Sequence, residues 1–157
     1  MKAKHIVLIT VLLIVIAALC VAVILLASSK NEFIPPEFDV GAKDGFPEVV
    51  DESFTRLEDE RLQFSINVCG KLKISDGKAK VYFTNPEENI SNIKLRVMSE
   101  GGEILYETGL IRPGQYIESI PLDKKQISGN TVMLKVMAYE NETYHSVGSC
   151  ILRAYVE

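Results

Sequence analysis

Hydrophobic residues follow three successive regimes along the chain. In the first, residues 6–27 read IVLITVLLIVIAALCVAVILLA, with no charge, no Pro and no Gly. A helix rises about 1.5 Å per residue, so this run spans roughly 30 Å, the thickness of a hydrocarbon core. The pattern predicts a transmembrane helix over 6–28. Lys2 and Lys4 precede it, which places the end at 1–5 in the cytoplasm and everything after the helix outside. A cleaved signal peptide has a shorter apolar stretch of about 7–15 residues. A lipoprotein needs a small residue before its acylated Cys, and Leu19 stands before Cys20.

In the second regime no period is sustained. Pro35, Pro36, Gly41, Gly45 and Pro47 punctuate a charged stretch, which predicts an extracytoplasmic tether over 29–61. Within it, Val50, Phe54, Leu57 and Arg61 fall at near-helical spacing. They predict a short helix over 50–60, capped by Asp51 or Ser53.

From residue 62 the period becomes two. Leu62, Phe64, Ile66 and Val68 alternate with polar neighbours, as do Ala79, Val81 and Phe83, then Ile93, Leu95 and Val97. Segments 103–107, 116–122, 132–138 and 147–156 continue the series. Turn signals separate them: Ser75-Asp76-Gly77, Asn85-Pro86, Gly101-Gly102, Arg112-Pro113-Gly114, Ser128-Gly129-Asn130 and Glu140-Asn141-Glu142. About seven short half-polar strands predict an all-β domain over 62–157, an antiparallel immunoglobulin-like (fibronectin III-like) sandwich. Pro113-Gly114 has the residues of a type II turn. Asn85-Pro86 ends a strand, because Pro cannot donate to a ladder.

The stretch YFTNPEENISNIKLRVMSEGGEILYETGLIRPGQYIESIPL, followed by VMLKVMAYENETYHSVGS, resembles small membrane-anchored proteins of Gram-positive bacteria. The marks are Asn85-Pro86, the run from Gly109 to Gly114, and Ala138-Tyr139. The resemblance implies an immunoglobulin or fibronectin type III outer domain and a cell-surface location. It implies no catalytic residue. The antibody hallmark is absent: the chain has no Trp and no Cys pair at inter-sheet spacing.

Charge changes the picture only modestly. Of 17 Lys and Arg, three flank the apolar run, leaving 14 against 21 acidic residues from Asn31 onward, a net of −7. Such a domain is a poor partner for nucleic acid or anionic lipid. Cys69 and Cys150 are the thiols outside the apolar run. Alternation puts them on opposite faces unless Gly70 shifts the phase, and a bridge between them is left open.

Candidate chemistry is sparse. Glu87, Glu88 and Asn89, and Glu140, Asn141 and Glu142, form acidic loops without the spacing of a calcium loop. His145 is the one His beyond the N-terminal end, so neither a catalytic triad nor a zinc site assembles readily. No catalytic residue, metal ligand or cofactor is expected. The stronger pointer is a set of large side chains on the polar phase of the strands: Tyr82, Met133, Met137 and Tyr139. If exposed together, they mark a partner-contact surface. The expectation is a single-pass membrane protein whose outer sandwich is a non-catalytic binding or structural module at the cell surface. It would meet a protein or cell-wall partner, for instance as an accessory subunit of a surface or transfer apparatus. A ligand-binding sensor, or a small wall-associated enzyme domain, is the alternative.

Overall fold

Alternation from residue 64 onward places one apolar side chain of each pair on a common face, and those faces close on a single core. In the computed structural model the described residues are 2–28, 33–48, 51–58, 63–127 and 129–157. They form two compact units, 1–34 and 35–157.

Among the described residues the first unit holds one helix, α1 (Lys2–Ser28), 27 residues long. The large apolar side chains described along it, from Leu8 to Val23, are all exposed. Among the described residues no helix is long and apolar enough to cross a membrane. The unbroken run of described side chains within α1 is 11–23, which rises only about 20 Å.

The second unit is mostly β. Its strands are β1 (Lys43–Asp44), β2 (Phe54–Leu57), β3 (Ile66–Cys69), β4 (Lys71–Ser75), β5 (Lys78–Asn85), β6 (Ser91–Met98), β7 (Ile104–Glu107), β8 (Gln115–Pro121), β9 (Thr131–Glu140) and β10 (Ser146–Val156). They make one curled sheet in the order β1-β8-β5-β4-β10-β9-β6-β7, with β3 joined to β5 and β2 to β3. The sheet is mixed, not purely antiparallel as expected, because β4 runs parallel to β10 through Tyr155–Lys71 and Val156–Leu72. Strand β4 was not anticipated from the sequence. Gly70 explains it: its N–H donates to Ser53 O (2.9 Å) and its C=O accepts from Tyr155 N (2.9 Å). At that residue the chain leaves β2 and joins β10. The apolar phase continues unshifted from Ile66 and Val68 to Leu72, all buried.

The core is one cluster. Leu72, Val81, Phe83, Ile117 and Ile120 meet Ile93, Leu95, Val97, Val132, Leu134 and Val136. The seven alternating segments of the sequence correspond to β3 and β5–β10. The Arg112–Gln115 turn closes with Gln115 N donating to Arg112 O (3.1 Å), and Gly114 takes φ 75°, as a type II turn requires.

The region expected to be a tether differs. Residues 35–48 lie within the second unit. Asp39 N donates to Leu110 O and Leu110 N to Glu37 O (both 2.9 Å), and β1 pairs with β8. The expected helix over 50–60 is instead β2, paired with β3 from Phe54–Cys69 to Leu57–Ile66. Two half-buried residues three apart fit a strand whose ends pack and whose middle, Thr55-Arg56, is exposed. Asp51 does not cap a helix. Its Oδ1 accepts from Ser53 N (2.8 Å) and Ser53 Oγ (2.6 Å), an Asx turn that leads into the strand. The positions Val50 and Arg61 of the expected helix, and 29–32 of the expected tether, lie outside the described residues.

Candidate functional site

Strand β9 places Met133, Lys135, Met137 and Tyr139 on the face turned away from the core, since Val132, Leu134, Val136 and Ala138 fill the other. Register sets their neighbours. Met133 lies between Met98 and Arg153, Lys135 between Arg96 and Ile151, and Met137 between Lys94 and Ser149. Ile151 is 53% exposed. This face therefore interleaves thioethers and Ile151 with the cations Lys94, Arg96, Lys135 and Arg153, on a domain that is acidic as a whole. Glu107 answers two of the cations, at 2.6 Å from Lys94 and 2.5 Å from Arg96. Burial opposes its charge, but the two cations prevail and its pKa is lowered.

Three of the four expected contact residues come together here. Met133 and Tyr139 are half-buried. Met137 is buried to 8% exposure, beneath the Tyr139 hydroxyl, which lies 3.7 Å from its sulfur. Tyr82 is elsewhere. It sits on β5 at the register shift between Lys80 and Phe83, with φ 45°. Its ring meets Phe54 edge-on at 6.4 Å, and Phe54 meets Phe46 at 5.7 Å. These aromatics come from the docked segment before β3, which alternation alone did not connect to β5.

That side of the sheet carries a second feature, a cleft of about 590 Å³ lined by Phe46, Arg56, Thr84, Asn85, Glu88 and Pro113, among others. Arg56 forms ion pairs with Glu58 and Glu88 and donates to Ser65 Oγ (3.3 Å). Beside it, Asn67 pairs in register with Arg56 on one strand and Thr84 on the other. Asn67 is 5% exposed, and its Oδ1 is buried without a hydrogen-bond partner among the described residues.

Other expected groups have structural duties. Asn89 is buried: Nδ2 donates to Ser65 O (2.7 Å) and Asn85 Oδ1 (2.6 Å), and Oδ1 accepts from Ser65 N (3.0 Å). Asn85 Nδ2 donates in turn to Ser91 O (3.0 Å) and Ile111 O (2.9 Å). In the other acidic loop, Thr143 Oγ1 donates to Glu140, and the exposed His145 closes the turn through its backbone. Cys69 is a free, buried thiol, its pKa raised by burial. Near it, hydrogen bonds from the Ser53 hydroxyl and N–H, with help from Lys73, hold Asp51 at a pKa of about 2. The same carboxylate raises the Lys73 pKa. Among the described residues no group of three or more His, Cys, Asp or Glu is placed to hold a metal ion.

No protein-family model, curated protein or solved structure matches this chain. The functional reading therefore rests on the chain's own surfaces.

Proposed function

We propose that the chain is a single-pass membrane protein whose outer part, an immunoglobulin-like domain of fibronectin III type, is a non-catalytic binding module at the bacterial cell surface. A helix that is apolar all round needs a non-aqueous environment. Residues 6–27 carry no charge, and the described large apolar side chains of α1 are exposed. The charge-free run 6–27 of the sequence, continued as one helix, rises about 30 Å, the length that a hydrocarbon core asks for. Lys2 and Lys4 orient it with the N-terminus inside. The strand arrangement also supports the sandwich reading: β4-β5-β8 on one flank and β10-β9-β6-β7 on the other share one core.

The observation that carries the binding role is the outer face of β9 and its neighbours. Met, Tyr and Arg are the residue types enriched at protein interfaces, and here Met98, Met133, Tyr139 and Arg153 share one face, with Met137 buried beneath Tyr139. Two measurements test the proposal. A C-terminal tag on intact wall-stripped cells is expected to be removed by external protease. Photo-crosslinking from position 133 in cells is expected to yield a discrete protein adduct that Arg153→Glu, at the exposed residue opposite Met133, weakens. A protected tag refutes the orientation. Crosslinks to lipid and wall material alone refute a protein-binding role.

A further inference from the structure

The open side of β10 has the construction of a strand receptor. Hydrogen bonding along β10 alternates. Val156 N donates to Asn130 O (2.8 Å) toward the β9 side, whereas Tyr155 N donates to Gly70 O (2.9 Å) and Glu157 N to Leu72 O (3.0 Å) toward β4. The register with β9 is unbroken from Gly148 to Tyr155. By the period of two, the N–H and C=O groups of Ser149, Ile151 and Arg153 point the same way as those of Tyr155. Strand β4 reaches only Tyr155 and Val156. Among the described residues no strand pairs with 149–153 on that side.

Beside this edge lies a slot of about 200 Å³. Leu57, Val68, Leu134 and Leu152 give it an apolar lining, with Thr55 of β2 on one rim and Arg153 of β10 on the other. Among the described residues β2 pairs only with β3, and β10 pairs only with β9 over Ser149–Arg153, so each rim has an edge without a ladder partner. The slot is too small for a typical small-molecule ligand and suits one or two side chains. The outward side of the edge is cationic: Arg153 is exposed, Lys135 lies opposite Ile151, and neither has an ion pair among the described residues.

We propose that β10 receives an extended segment of a partner protein, apolar toward the slot and acidic toward Arg153 and Lys135. This rests on reading the chain as a surface binding module. Backbone pairing supplies affinity and the alternating side chains supply selection, the logic of strand addition. A second copy of this chain fits less well. Its own β10 brings Arg153, with Lys135 of β9 beside it, and from 146 to 153 no carboxylate.

The test uses the full chain in detergent micelles and a fluorescent heptapeptide alternating Val and Glu, with a Val/Lys peptide as control. Ile151→Pro removes an N–H on the open side only, so the β9 ladder survives. Arg153→Glu keeps every backbone group. The Val/Glu peptide is expected to bind, with affinity at least tenfold lower for Ile151→Pro, and Arg153→Glu is expected to prefer the Val/Lys peptide. Equal binding to wild type and Ile151→Pro overturns the proposal, as does no anisotropy change up to about 1 mM chain. If Ile151→Pro does not fold, unchanged peptide preference in Arg153→Glu overturns it alone. A doubling of mass in peptide-free light scattering that Arg153→Glu strengthens assigns the edge to a second copy and overturns the choice of partner. Failure here with an intact crosslink from position 133 removes the β10 edge and leaves the binding module standing.

Discussion

Two asparagines hold the end of β5 to three other segments. Asn85 and Asn89 are buried amides that bond the backbone of Ser65, Ser91 and Ile111. Removing one side leaves buried donors and acceptors without partners, each costing about 1–3 kcal/mol. Asn89→Ala is therefore expected to lower unfolding free energy by about 2–3 kcal/mol in urea titration, whereas Glu87→Ala, an exposed neighbour, should change it by less than about 0.5 kcal/mol. Asp51 supplies a pH signature. Its ordinary value of 3.8 falls to about 2 in the fold. A folded-state pKa below the unfolded one means the stabilisation is present above pH 3.8 and lost as pH falls toward 2. Asp51→Asn is expected to flatten the acid limb of the urea midpoint between pH about 4 and about 2. Glu88, Glu107 and Glu118, also lowered, should keep some slope. From sequence, Asn85-Pro86 was readable as a strand end. The amide network was not, because its partners lie 24 and 26 residues away and no local pattern reports such pairing.

The strands and turns were more legible than the segments that cover them. Period-two alternation located β3 and β5–β10 because each has one face on the core. It misread 50–60, since a four-residue strand with packed ends leaves the same spacing as a helical turn. It also missed the docking of 35–48, whose backbone pairs with residues some 70 positions away. Gly109 shows why that docking is specific. A Cβ there would lie 2.5 Å from Asp39 N and 2.7 Å from Asp39 Cα, and Gly109 N donates to Asp39 Oδ2 (2.8 Å). Phe38 is held nearby under the Arg112 guanidinium, 3.6 Å from its ring centre. Gly109→Ala is expected to displace the segment rather than the sheet. Limited proteolysis should cut within 35–48 at least tenfold faster, with the β-sheet circular dichroism retained. An unchanged cleavage rate would mean that the approach of the two chains is not tight. Of the expected contact face, β9 delivered Met133, Met137 and Tyr139 together because they share one strand. Tyr82 was separated from them because strand order, unlike strand phase, cannot be read from one chain.

At the scale of the whole molecule, the apolar run at 6–27 and the buried core are separate features of the sequence. Among the described residues, the buried core side chains lie between Phe64 and Val156, and the half-buried ones packed on them begin at Ala42. A chain starting at Pro35 therefore keeps the entire core and both sides of every ladder, in about 120 residues, a size at which single domains fold alone. Residues 35–157 are expected to unfold in one cooperative urea transition, with coincident fluorescence and circular dichroism curves. The full chain in micelles should show the same midpoint for its β signal, since the described core cluster lies within 35–157. If α1 is a membrane helix, the full chain should remain in the membrane pellet through alkaline carbonate, while 35–157 is recovered in the supernatant. The two results fail independently. A broad, non-coincident transition of 35–157 would show that the fold depends on residues before Pro35. A carbonate-soluble full chain would leave the β unit intact and remove its anchor, and with the anchor the reason to place β10 and the β9 face outside the cell.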